Sequence, residues 1–166
     1  NEWMQSLSNP RVYAAGDVAG APGALALTPV AAHEGQVVAS NLLGGNSARP
    51  DFRGPPSVVF TIPSLASVGL TEKAAREKGI NVRVQSEDTT EWYTNRRVHE
   101  PVGMYKIVID ADADRVVGAH IIGASSEEVI NVFAMAIRLG VTTAELKKMI
   151  FAYPTAASDI GYMVSG

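Results

Sequence analysis

Met104-Tyr-Lys-Ile-Val-Ile109, then Asp110-Ala-Asp-Ala-Asp114, then Arg115-Val-Val-Gly-Ala-His-Ile-Ile122 is the stretch that decides the fold. Two β-type runs rich in Val and Ile flank a short acidic connection, and a hairpin is the simplest reading. Directly after it, Val129, Val132, Phe133, Ala136 and Ile137 recur on one helical face until Gly140. That period predicts an amphipathic helix, with Ser125 and Glu128 as a capping box at its start. A hairpin followed by such a helix suits an α+β domain built on an antiparallel sheet.

Outward from this centre the same grammar continues. Downstream, Thr143 is expected to cap another short helix reaching about Ile150. Upstream, Ser57 to Thr61, Leu65 to Leu70 and Val82 to Glu87 read as strands. Between the last two, Thr71 is a candidate N-cap, Glu72 sits in the first turn, Arg76 and Lys78 in the last, and Gly79 ends the helix. The polar stretch through His99 reads as a loop or irregular strand. Strands mixed with helices around a hairpin give an α+β class with an antiparallel sheet and flanking helices.

Asn46 to Pro56 is rich in Pro, Gly, Asn and Ser and is the candidate linker. It places a boundary near residue 50, between a segment 1–49 and a domain 50–166. In the first segment Arg11 to Ala15 reads as a short strand ending at Gly16-Asp17, and Pro22-Gly23 marks a turn. Thr28-Pro29 opens a helix, with threonine as N-cap and proline in the first turn, and Gly44-Gly45 ends it.

Composition narrows the function classes. The 166 residues are 46% hydrophobic with a formal net charge of -3, so no basic excess is present to follow a phosphate backbone and no nucleic-acid partner is expected. No apolar run approaches the roughly 20 residues that span a bilayer, so no membrane partner is expected and a cytoplasmic setting is the default. With no cysteine, the chain holds no redox-active dithiol and no thiolate metal site. It starts at Asn1 rather than Met, which predicts a piece of a longer or processed chain.

The most specific local pattern is Val12-Tyr-Ala-Ala-Gly-Asp17 followed by Leu27-Thr-Pro-Val-Ala31 at a helix start. A carboxylate at the end of a strand can accept hydrogen bonds from a sugar-like hydroxyl, and open α/β sheets bind ligands at such ends. A helix N-terminus offers unpaired N–H groups and a positive dipole end. Either half alone reads equally as a turn and an ordinary helix start. Taken with Val59-Phe-Thr61, Ala66-Ser-Val-Gly-Leu-Thr-Glu72, Gly118-Ala-His-Ile-Ile-Gly123, Glu127-Glu128 and Tyr153-Pro-Thr155, the pattern resembles the C-terminal part of the pyridine nucleotide-disulfide oxidoreductases, the family of glutathione reductase, dihydrolipoamide dehydrogenase and mercuric reductase.

The resemblance implies that residues 1–49 are the end of an α/β FAD-binding domain and 50–166 a dimerisation domain. It implies a homodimer whose parent passes electrons from NADH or NADPH through FAD to a disulfide or another small acceptor. Gly16, Asp17, Leu27, Thr28, Pro29, Val30 and Ala31 would then lie at the cofactor, Asp17 on the ribityl chain and Thr28 near the pyrimidine edge of the flavin ring. Lacking a dinucleotide-binding glycine fingerprint and a cysteine pair, the chain alone is expected to be inactive.

One segment departs from the family pattern. Where the disulfide reductases carry His before Pro-Thr and Glu three positions after Thr, this chain has Tyr153 and Ser158, with Asp159 one place further on. A phenol with a pKa of about 10 and a serine do not reproduce an imidazole that titrates near neutrality. Tyr153 can still donate a hydrogen bond or proton, or pack at a subunit interface. The departure fits a parent that reduces a metal ion or quinone instead of a disulfide, and a non-catalytic, homodimerising assembly module is the reading from another class. Other candidates are weaker. Asp110, Asp112 and Asp114 imitate a calcium loop, but Arg115 stands where glycine is required and Ile121 where the bidentate glutamate belongs, so a solvated hairpin turn is expected and no metal site. His33, His99 and His120 show no ligand spacing, and Arg96-Arg97 beside Trp92 and Tyr93 reads as a solvated pair.

Overall fold

The computed structural model describes residues 1–165 and divides into two units, Asn1–Pro55 and the chain from Pro56 on. The first holds α1 (Thr28–Gly44). The second runs β1 (Ser57–Val59), β2 (Leu65–Gly69), α2 (Glu72–Glu77), β3 (Val82–Asp88), α3 (Tyr93–Arg97), β4 (Met104–Asp110), β5 (Arg115–Ile122), α4 (Ser126–Leu139), α5 (Thr143–Lys148) and α6 (Ile160–Met163). Its five strands form one sheet in the order β1-β2-β5-β4-β3, every neighbouring pair antiparallel. The α+β class follows.

The β4–β5 hairpin is the sheet's centre, and one extra residue sets its two faces. Val108 pairs with Gly118 but Ile109 pairs with Val116, so Val117 is the additional residue of a bulge. Without it, strict alternation would put Val116 and Ala119 on opposite faces. With it, Tyr105, Ile107 and Ile109 stand beside Ile121, Ala119 and Val116, and Val68 and Ala66 continue that face in β2. Leu70 N donates to the freed Val117 carbonyl at 2.8 Å. The chain passes so close there that a β-carbon on Gly118 would collide with the Leu70 carbonyl.

Against this face lies α4, whose Val129, Ile130, Phe133 and Ala136 are buried in one cluster with the strand residues and with Leu146, Ile160, Met163 and Val164. Val132 and Ile137 pack at its margin. The expected amphipathic face is the observed one. Its cap is not. Ser125 takes a left-handed backbone, φ 58°, and makes no side-chain cap bond, because the buried Ser126 hydroxyl is drawn to Ser64 O at 2.6 Å and fixes the entry. The capping box sits instead on α5, where Glu145 N donates to the Thr142 hydroxyl at 3.1 Å and Thr142 N to Glu145 Oε2 at 2.8 Å. Thr142, not Thr143, is therefore the cap. Thr71 caps α2 as expected, accepting from Ala74 N.

Two other expectations change. The stretch through His99 contains α3, a five-residue helix organised around a buried asparagine: Asn95 Nδ2 donates to Thr89 O at 2.9 Å, and Asn95 Oδ1 accepts from Ala124 N at 3.3 Å. Hydrophobic periodicity cannot announce a turn held by a polar side chain. In the first unit Arg11 to Ala15 is no full strand; Tyr13 forms a single antiparallel bridge to Gln5, and Ala14 N donates to Met4 O at 3.0 Å. Likewise Thr28 is the first residue of α1 rather than its cap, a position held by extended Leu27 without a side-chain bond.

Phe133 is wholly buried where α4 meets the sheet, whereas Met135 on the same helix is exposed. Phe133→Ala is expected to cost about 3–5 kcal/mol of unfolding free energy in urea, and Met135→Ala within about 0.5 kcal/mol.

Candidate functional site

Within the first unit, the buried side chains of α1 are Val30, Glu34, Val37 and Asn41, one helical stripe with two polar members. Each polar member holds a loop. Asn41 donates through Nδ2 to Trp3 O and Ala48 O, both at 2.9 Å, and accepts at Oδ1 from Ser47 N and Ala48 N at 3.0 and 2.8 Å. Glu34, 1% exposed, accepts from Gly16 N at 2.6 Å through Oε2.

That bond ties the Gly16-Asp17 turn to α1. Gly16 has φ 74° and ψ -159°, a backbone suited to glycine, and a β-carbon there would sit 3.3 Å from that of Ala31. Asp17 then opens a one-turn 3-10 helix through Ala19, with Ala19 N donating to Gly16 O at 2.8 Å, and its side chain is exposed. Leu27 is extended, Thr28 and Pro29 are exposed at the start of α1, Val30 is buried, and Ala31 N closes the first helical bond to Leu27 O. Gly16 and Ala31, candidates read from separate motifs, are thus neighbours. The arrangement presents an exposed carboxylate on a turn packed against the first turns of a 17-residue helix. Thr28 and Val30 supply N–H groups there, Pro29 having none. Glu34 was absent from the sequence reading; its only signal is its place on the buried stripe.

The second group lies after α5. Tyr153 is 78% exposed, precedes a cis Pro154, and stacks on Tyr93 of α3 with ring centroids 6.3 Å apart. Ser158 donates to Thr155 O at 2.6 Å, within its own turn. Asp159 is bonded to α3 rather than to Tyr153: its Oδ2 accepts from the Thr94 hydroxyl at 2.5 Å. Tyr153 and Asp159 are thereby joined to consecutive residues, Tyr93 and Thr94, of the same short helix. Among the other charged candidates, Asp110 accepts from Asp112 N and Ala113 N, and Asp114 accepts from the Thr143 hydroxyl and Ala144 N, so the hairpin acids turn the chain and cap α5. His120 lies between the Ser67 hydroxyl at 2.7 Å and Leu70 O at 3.2 Å. His33 accepts from Asp51 N at 2.9 Å.

Burial pushes the Asp159 carboxyl above its ordinary range, and the Thr94 hydrogen bond partly opposes that shift. The folded chain then holds this proton more tightly than the unfolded chain does. Stability from Asp159 is full below the ordinary carboxylate value, about 4, and declines as pH rises through the raised one. Asp159→Asn keeps an acceptor for Thr94 without the charge. Its stability relative to wild type is expected to rise between acidic and neutral pH, measured by urea unfolding across that window; a flat difference would remove Asp159 as the cause.

Residues 55–164 match the family described as the pyridine nucleotide-disulphide oxidoreductase dimerisation domain. Among curated proteins, the chain is 52% identical over 164 residues to an uncharacterized 19.7 kDa protein in a mercuric resistance operon of Staphylococcus aureus, covering 99% of this chain and 91% of that one. It is 39% identical over 160 residues to mercuric reductase of Staphylococcus aureus and 36% identical over 152 residues to glutathione reductase of Burkholderia cepacia, covering 96% and 92% of this chain but 28% and 33% of theirs. Among solved structures, the HOCl-induced flavoprotein disulfide reductase RclA from Escherichia coli superposes with a TM-score of 0.86 at 25% identity, over 99% of this chain and 37% of that one. The chain belongs to the pyridine nucleotide-disulfide oxidoreductase dimerisation-domain family.

Proposed function

We propose that this chain is the C-terminal, homodimerising region of an FAD-dependent NAD(P)H oxidoreductase that passes electrons from NADH or NADPH through FAD to a disulfide or another small acceptor, in a cytoplasmic setting. The observation that carries this reading is the extent of the similarity to the reductases. It takes in 96% of the chain, and therefore the Gly16-Asp17 turn and α1 as well as the sheet domain. A dimerisation module alone would need only the second unit.

The first unit's residues fit a flavin dinucleotide. The turn at Gly16 packs closely on α1, a β-carbon there falling 3.3 Å from that of Ala31, and Asp17 is exposed to accept from hydroxyl groups. The start of α1, Leu27 to Ala31, provides N–H groups and a positive dipole end for an electron-rich ring edge. FAD would supply the two-electron chemistry there. In the second unit, Tyr153 is the exposed hydroxyl of its segment and acts as hydrogen-bond or proton donor, while Ser158 and Asp159 hold the turn and α3. A phenol in this place permits a metal ion or quinone as acceptor, and the relatives include both mercuric and glutathione reductases. The chain alone is then inactive, lacking any cysteine.

A second reading has its own support. The 19.7 kDa relative is a short protein spanned over 91% of its length, so a chain of this size can exist apart from a reductase, as a homodimerising module without cofactor. Absorbance of the protein purified from its source separates the two. Bound FAD that bleaches anaerobically with NAD(P)H is the expected result, and a colourless dimer favours the module. In the flavoprotein, Tyr153→Phe is expected to lower turnover of the acceptor by roughly 100-fold or more while leaving flavin reduction by NAD(P)H unchanged.

A further inference from the structure

We infer that Glu34 is a positioning residue for the cofactor turn: its buried carboxylate clamps the Gly16 amide and so sets the direction in which Asp17 is presented. The inference rests on the flavin reading above but is carried by different atoms. Glu34 lies in the second turn of α1, 1% exposed, with Oε2 2.6 Å from Gly16 N. Its other oxygen, Oε1, is buried with no hydrogen-bond partner among the described residues. Burying a carboxylate with half its acceptor capacity unused is costly, since each unmet polar atom forfeits its hydration. A residue concerned only with filling α1's inner stripe would be apolar, as Val30 and Val37 are.

The clamp acts where the backbone has most conformational freedom. Gly16 adopts φ 74°, and glycine reaches several other basins at similar energy, so the turn needs an external restraint to stay in one. A short N–H to carboxylate bond is a charge-assisted restraint, stronger than the neutral bonds of an ordinary turn. Because Asp17 follows Gly16 directly, rotation of the Gly16 peptide would swing the Asp17 side chain away from a bound hydroxyl. Oε1 remains as acceptor for a donor brought by the cofactor or by the rest of its domain. Glu34 itself need not touch the flavin.

Two measurements test the assignment. In the 166-residue chain, without cofactor, the Gly16 amide is followed by NMR hydrogen exchange in wild type, Glu34→Gln and Glu34→Ala. Exchange about 10-fold faster in the alanine variant, with glutamine intermediate, is expected from loss of a charge-assisted bond; unchanged exchange overturns the clamp. In the full-length protein purified from its source, FAD dissociation is followed by flavin fluorescence for wild type, Glu34→Gln, Asp17→Ala and the double variant. Glu34→Gln, isosteric and able to keep the fold, is expected to weaken FAD binding several-fold, and to add less than about twofold once Asp17 is alanine, because it acts through that residue. Equal, additive effects in both backgrounds overturn positioning in favour of a general packing role. A wild-type protein that holds no flavin overturns instead the cofactor reading on which the inference stands, whatever Gly16 exchange shows.

Discussion

The second unit depends on a single inserted residue. Val117 lets β5 present Val116 and Ala119 to the same side despite their odd spacing, so that three cross-strand pairs, Tyr105 with Ile121, Ile107 with Ala119 and Ile109 with Val116, form one apolar surface under α4. If the register ran straight through, part of that surface would turn to the side that carries Lys106, His120 and Ser67. The bulge also frees a carbonyl for Leu70 N, which brings the end of β2 so close to Gly118 that only glycine fits. Register, helix packing and the turn into α2 are therefore one constraint met in three places.

Where apolar burial does not decide the path, buried polar side chains do. Asn95 fastens α3 to the loops around Thr89 and Ala124, Asn41 fastens the chain before and after α1, Ser126 fastens the entry of α4 to Ser64, and the half-exposed Asp114 links the hairpin tip to α5. Loops of this length would otherwise retain many conformations, and a satisfied buried amide or carboxylate selects one of them. Glu34 differs from the others in being half satisfied.

How much of this the sequence discloses follows from which force is at work. The hairpin, the β2 run, α2 and the inner face of α4 were legible because they rest on period-2 and period-3.6 burial and on local caps such as Thr71. At α4 the cap position, Ser125, was legible but its bonding was not, because the hydroxyl that fixes the entry is that of Ser126, whose partner Ser64 lies 62 residues away. Thr142 and Thr143 pose an ambiguity resolved by Asp114 taking the Thr143 hydroxyl. The short helix α3 was invisible, since its determinant is an asparagine with distant partners. Of the candidate site, the turn at Gly16-Asp17 and the helix start at Thr28 to Ala31 show as local patterns, whereas Glu34 shows only by its place on the buried stripe of α1.

The Tyr153 segment is held by its own apolar residues and by a neighbouring short helix. Tyr153 is exposed and Ser158 bonds only within its turn, so neither anchors the segment to the domain. Phe151, Ala156 and Ala157 pack the segment against the core, and α3 adds the Tyr93 ring stacked on Tyr153 and the Thr94 hydroxyl on Asp159. On the other side of that helix, Trp92 contacts Tyr105 and Tyr162 and Asn95 closes the loop. Four consecutive residues, Trp92 to Asn95, thus connect the sheet, the C-terminal helix and the exposed phenol. A substitution at Thr94 or Asn95 changes no atom of Tyr153 yet removes a bond that holds the helix against which its ring is stacked.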